Sequence, residues 1–404
     1  MSLVTRARPL VGGLSLALAA LTLVAAPAHA DGPGSGTPYV VSVGDSYISG
    51  EAGRWAGSSN DSASRADALG GTAYFDNAGN NAEQINRCHR SKSAEIYIGG
   101  GTLGLNLACS GAKTATSDGS DFKPGLDFYD NGAGKQGQAK MLQQFAATHN
   151  VTMVAVSIGG NDFNFASVVQ SCVTDFLTSP TWWKDYCKDD SSVVANFTSS
   201  NVAAVKTRIA NAYANIRTAM RNAGYADSSW TLLVQNYPSP VPNGSGFRYG
   251  ESGYSRQNTG GCGFWNADAD WANSTALPTI NNTVTGAISQ AGITNAKTLN
   301  LASTFNGRRL CESTVGLYEE VGLTNWTAQT AVDRTEWVNQ IRTVTTAGSS
   351  PYYIQESLHP NYWGQLATRS CVRQAYNAGT PRSGSCVRTG TGLTPSGEPR
   401  MTLQ

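Results

Sequence analysis

Tyr39-Val-Val-Ser-Val-Gly-Asp-Ser-Tyr47 is the stretch that decides the fold class. Its first five residues are short, apolar and β-branched, the pattern of a parallel strand buried on both faces. The Gly-Asp-Ser that follows falls at the carboxyl end of that strand, where ligands bind in open parallel sheets. Similar runs recur at 103–108, 151–158, 231–235 and 298–301. Between them Val202, Val205, Ile209, Tyr213, Ile216 and Met220 recur at three and four residues, one stripe of a long helix. Segments 135–149, 331–347 and 362–378 also read as helices. Strands alternating with helices predict an α/β chain, a three-layer α/β/α sandwich around a central parallel sheet. No repeat and no domain boundary stands out. The Gly/Ser/Asn/Trp-rich stretches 50–100, 170–200 and 240–275 read as insertions in a single domain.

The 404 residues carry 29 Lys+Arg against 28 Asp+Glu, with 8 Cys and 4 His. That balance leaves no basic excess to neutralise phosphates, which excludes nucleic acid as a partner. Arg6 and Arg8 precede an apolar run, Leu10 to Ala26, that closes on Ala28-His29-Ala30. Residues 1–30 therefore read as a secretory signal peptide, and a secreted chain is expected to begin near Asp31. No later run reaches the ~20 apolar residues of a bilayer span. An even number of Cys in an exported chain favours disulfides, and sequential pairing closes short loops: Cys88 with Cys109, Cys172 with Cys187, Cys262 with Cys311, Cys371 with Cys386. Metal ligation is the weaker reading, since neither C-x-x-C nor H-E-x-x-H occurs. The main domain is expected over 31–388, and the polar segment 389–404 as a flexible tail.

Three further blocks sit with Gly44-Asp45-Ser46 at places where chemistry collects. Leu107-Ala108-Cys109-Ser110-Gly111-Ala112 and Ile158-Gly159-Gly160-Asn161-Asp162 end two strands, and Glu356-Ser357-Leu358-His359-Pro360 lies near the C-terminus. Each tripeptide is also ordinary turn chemistry. In this order and spacing the four blocks resemble the GDSL, or SGNH, hydrolase superfamily, in particular its secreted actinobacterial lipases and esterases. The resemblance covers about Tyr39 to Ala378 and implies a flavodoxin-like sandwich with no cofactor and no metal. It makes Ser46 the nucleophile and His359 the general base. The backbone N–H groups of Ser46 and Gly111 and the side-chain amide of Asn161 would form an oxyanion hole. Where the family carries Asp three residues before the His, this chain has Glu356. Either its carboxylate or a backbone carbonyl at that position would orient the ring.

The residues read from their own chemistry lead to the same candidates. A Ser hydroxyl needs an adjacent base, most often His. His149 ends an amphipathic helix, where a surface cation is the common role. His89 neighbours Cys88 in a loop expected to be cross-linked. His359 lies between a carboxylate and a Pro that can open a helix.

Other signals carry less. Gly99-Gly100-Gly101-Thr102-Leu103-Gly104 matches G-x-G-x-x-G but leads into a strand, so no helix N-terminus is offered to a pyrophosphate. Ile48 stands where a nucleophile elbow would need its second Gly. Trp182, Trp183 and Tyr186 form either a wall for lipid or sugar or the packing beneath a loop. The resemblance implies a carboxylic ester hydrolase, a monomer meeting lipid surfaces transiently, of lipase or phospholipase A/B type. Deacetylation of a polysaccharide is the alternative, and a non-catalytic lipid- or glycan-binding protein is the alternative of another class.

Overall fold

A computed structural model describes residues 32–343 and 354–404. The signal peptide expected at 1–30 lies outside them. A seven-stranded sheet is built from β1 (Pro38–Gly44), β2 (Leu103–Asn106), β3 (Asn150–Ser157), β4 (Thr231–Gln235), β5 (Ala296–Asn300), β6 (Gly384–Leu393) and β7 (Pro399–Leu403). Its order is β2-β1-β3-β4-β5-β6-β7, parallel throughout except for the antiparallel pair β6 and β7.

Strand alternation divides the core into two layers. Val40, Met153, Ala155 and Leu233 face one side, while Val41, Val43, Val154, Val156, Leu232 and Val234 face the other. The second side is covered by α2 (Gln138–Ala146), α4 (Ser199–Asn222) and α5 (Leu277–Gln290). The stripe expected in α4 is the buried one: Val205, Ile209, Tyr213, Ile216 and Met220 all lie inside. The first side takes α6 (Tyr362–Tyr376) together with Trp55 and Trp337 from long connections. Two more helices border the site: α1 (Ser46–Ser49) and α3 (Phe165–Thr178). All four expected disulfides are present, and they staple these connections to the sandwich.

Two expectations are corrected. The segment 389–404 is not a flexible tail, because β6 and β7 pair across it and extend the sheet beyond residue 388. It is held by burial of Met401 and Leu403, by the Cys371–Cys386 bridge to α6, and by Arg373 of α6 forking onto buried Glu398. The helix expected over 331–347 is only the single turn Ala331–Arg334 within the described residues. From Thr335 the backbone instead bonds Gly261, Arg308 and the His359 loop.

Candidate active site

The first piece is the turn at the end of β1. Gly44 and Ser157 are paired at the end of the β1–β3 ladder. Gly44 has φ +136°, and a Cβ there would lie 1.9 Å from the Ser157 carbonyl oxygen, so only glycine lets the chain turn at this edge. Asp45 then caps α1, accepting from the Tyr47 N–H at 3.1 Å and from the Tyr237 hydroxyl. Burial, opposed in part by those two bonds, pushes its carboxyl up to about 7. Ser46, the first residue of α1, is thereby fixed at the sheet edge.

His359 arrives from the loop before α6. Its Nε2 lies 2.6 Å from Ser46 Oγ and its Nδ1 lies 2.9 Å from the Ser357 carbonyl oxygen. A carbonyl can only accept, so Nδ1 carries the proton and Nε2 is the lone pair facing the serine. Removal from solvent lowers the imidazole pKa below its ordinary value, against the opposing pull of the Glu51 carboxylate and of the Ser357 bond. Leu358, between the two, has φ +62°, an uncommon conformation for a bulky residue. The Tyr47 hydroxyl holds its carbonyl at 3.0 Å, and Asn339 bonds both sides of the turn.

Glu356 does not orient this ring. It is fully buried with its carboxylate turned away, accepting from Trp55 Nε1 at 2.7 Å and from the Tyr74 hydroxyl. Two aromatic donors on the far side capture the longer arm, and the carbonyl that meets His359 belongs to Ser357, one residue on from the position expected. Glu356 thus ties the His359 loop to the 50–100 insertion.

Gly111 and Asn161 border the same cleft as Ser46 and His359. Gly111 has φ +78°, which again favours glycine. Among the described residues neither its N–H nor that of Ser46 donates to another group. One Asn161 amide proton goes to the Ala112 carbonyl at 2.9 Å, leaving the second available. Asp162 accepts from Thr114 N–H at 3.1 Å and Oγ1 at 2.7 Å, locking the Gly111 loop to the Asn161 loop. Cys88–Cys109 anchors the same loop from the other end. Such an arrangement can activate a hydroxyl and bind a developing oxyanion.

Sequence reading missed a buried pair beside this centre. His89 Nδ1 lies 2.6 Å from Glu51 Oε1, both inside the protein, and the His89 ring stacks on Tyr74 at 4.4 Å. Burial works against both charges. The mutual attraction outweighs it, holding Glu51 below and His89 above their ordinary values. Gln355 bonds Glu51 Oε2 at 3.2 Å and Ser110 Oγ at 2.7 Å, so the pair supports the Gly111 loop and the His359 loop together. The Cys88–Cys109 pairing was the available signal, since it carries residue 89 alongside residue 110. His149, by contrast, stacks on Phe145 at 3.8 Å, far from the cleft in the sheet topology.

The cleft has a volume of about 530 Å³. One wall is α3, which presents Phe165, Ala166, Val169, Val173 and Leu177 with Gln170 and Thr174 among them. Trp182 and Trp183 follow just past the end of α3 and are 82% and 74% exposed, so they do not pack beneath their loop. No helix of the described residues is long and apolar enough to cross a membrane.

No family model matches the chain, and no curated protein matches it. Among solved structures the chain is similar to an extracellular lipase of Streptomyces rimosus, with 19% identity over 85% of this chain and 100% of that one, at a TM-score of 0.42. A phospholipase A1 of Streptomyces albidoflavus NA297 matches with 17% identity over 82% and 95%, at 0.43. A carbohydrate acetylesterase of Sinorhizobium meliloti matches with 10% identity over 65% and 83%, at 0.26.

Proposed function

We propose that the chain is an exported serine carboxylester hydrolase acting on acyl esters of lipids, a lipase or phospholipase A/B type of enzyme. The observation that carries this reading is the 2.6 Å contact of Ser46 Oγ with His359 Nε2 inside the apolar cleft. Ser46 Oγ attacks the ester carbonyl as His359 Nε2 takes its proton. The N–H groups of Ser46 and Gly111 and the Asn161 amide stabilise the oxyanion. His359 returns the proton to the leaving alcohol, and the acyl group stays on Ser46. Water, deprotonated by the same imidazole, then releases the acid and restores the hydroxyl. The Ser357 carbonyl holds the ring in the required tautomer, so Ser46 and His359 act as a dyad.

The α3 wall supports a lipid acyl group over an acetyl group. Phe165 to Leu177 spans about 18 Å of helix at ~1.5 Å per residue, far longer than an acetyl group needs. Four disulfides support export, because such bridges persist in oxidising compartments. The test is a product screen with phospholipid, triacylglycerol and acetylated xylan. Long-chain fatty acid released by the native protein and not by Ser46→Ala is the expected result. Acetate without fatty acid selects the glycan esterase, and failure of Ser46 to react with a serine-directed phosphonate selects a binding protein.

A further inference from the structure

The exposed apolar side chains of this molecule are not scattered. Among the described residues the large ones are Leu103, Trp182, Trp183, Val194, Ile354 and Leu393. Four of these six lie in the cleft or on segments joined to or packed on its α3 wall. Ile354 lines the cleft itself. Trp182 and Trp183 follow α3, the cleft's apolar wall, and Val194 ends the turn Ser191–Val194 that packs on α3. The two indoles sit inside the loop closed by Cys172–Cys187, so they are presented on a stapled support rather than a loose one.

We infer that Trp182 and Trp183 form an interfacial anchor that seats the protein on a zwitterionic lipid surface, with the cleft opening beside the contact. This rests on the lipid-ester reading above. An indole has an apolar body and a polar N–H, which suits the headgroup level of a membrane. The apolar residues follow one another in sequence: Val169, Val173 and Leu177 line the cleft along α3, and the indoles begin five residues later. A sugar platform is a poorer fit, because the rings stand edge to face with planes at 86° and centroids 6.4 Å apart and offer no common flat face. The local charge also selects the surface. Asp175 and Asp185 of the stapled segment and Asp190, three residues past it, bring carboxylate oxygens within 4.8 Å of one another, and Lys184 is paired with Glu251. Such a patch repels anionic headgroups and leaves the indoles to supply the attraction.

The test separates binding from catalysis by measuring cosedimentation of Ser46→Ala protein with phosphatidylcholine vesicles. Trp182→Ala/Trp183→Ala in that background is expected to weaken partitioning more than about tenfold. Vesicles rich in phosphatidylglycerol are expected to bind the Ser46→Ala protein less well than phosphatidylcholine. With Ser46 intact, the double substitution raises KM on vesicles and leaves kcat/KM on p-nitrophenyl butyrate unchanged. Equal sedimentation with and without the indoles overturns the anchor, as does retention on insoluble xylan that depends on the pair. Indole-dependent vesicle binding by a protein that hydrolyses neither substrate supports the anchor and overturns the hydrolase reading.

Discussion

Glu356→Gln distinguishes a carboxylate that works on the imidazole from one that holds a loop. Glu356 accepts from Trp55 Nε1 and the Tyr74 hydroxyl, whereas His359 Nδ1 meets the Ser357 carbonyl at 2.9 Å. A glutamine keeps one oxygen for the indole N–H, and its NH2 can donate to Tyr74 once that hydroxyl rotates. Two charge-assisted bonds become neutral ones, roughly half as strong, at a cost of about 2 kcal/mol in total. Stability measured by urea unfolding should fall by about that amount. Turnover of p-nitrophenyl butyrate should fall less than about tenfold, because the group holding the ring tautomer is untouched; the triad alternative predicts a loss of ~10⁴, or about 5.5 kcal/mol of barrier. The pH profile should also stay in place, since the charges that bear on His359 are Glu51 and His89. A loss of kcat beyond 10³ in a variant that stays folded would refute the assignment of the orienting role to Ser357.

Two further outcomes follow from the same geometry. Asn161→Ala removes one oxyanion donor and should lower kcat by about 10²–10³ with little change in KM, whereas equal loss in both would mark Asn161 as a turn residue only. The base must be neutral to act, and its pKa is lowered in the folded protein. The kcat/KM of a soluble ester should therefore rise with pH through a half-point below ~6.5 and stay level above it; a half-point above 7 contradicts the burial argument.

Much of this site was readable because short parallel strands announce themselves. Val40, Val41 and Val43 are wholly buried, so their β-branched run reflects both faces of a sheet, and Ser46 follows at a fixed place on its edge. His359 was named by the resemblance of its block to the GDSL pattern, and elimination agreed with it because His is scarce. The aim of Glu356 was not readable. Its carboxylate is captured by Trp55 and Tyr74, 301 and 282 residues earlier, and no local pattern records such a meeting. Glu51, and the pairing of His89 with it, went unread for a similar reason, since only folding brings the two together. The β6–β7 pair was misread because β6 buries only Cys386 fully, leaves its other residues half-buried or exposed, and is mostly Gly, Ser, Thr and Arg. A strand with one buried side chain leaves almost no periodic signal. Apolar spacing within 331–347 suggested a helix, but the described residues there serve as backbone partners for the His359 loop.

The 313 residues separating Ser46 from His359 also govern timing. A nascent chain folding from its amino end has β1 and its serine early, yet it holds no base until α6 has docked across the sheet. That docking relies on β6 and β7, which emerge last and clamp α6 through Cys371–Cys386 and Glu398. Contacts so distant in sequence form late, because the intervening chain must be closed into a loop first. The reactive hydroxyl is therefore dormant through most of synthesis, and a shortened product lacking the last strands would lose the clamp that steadies the imidazole.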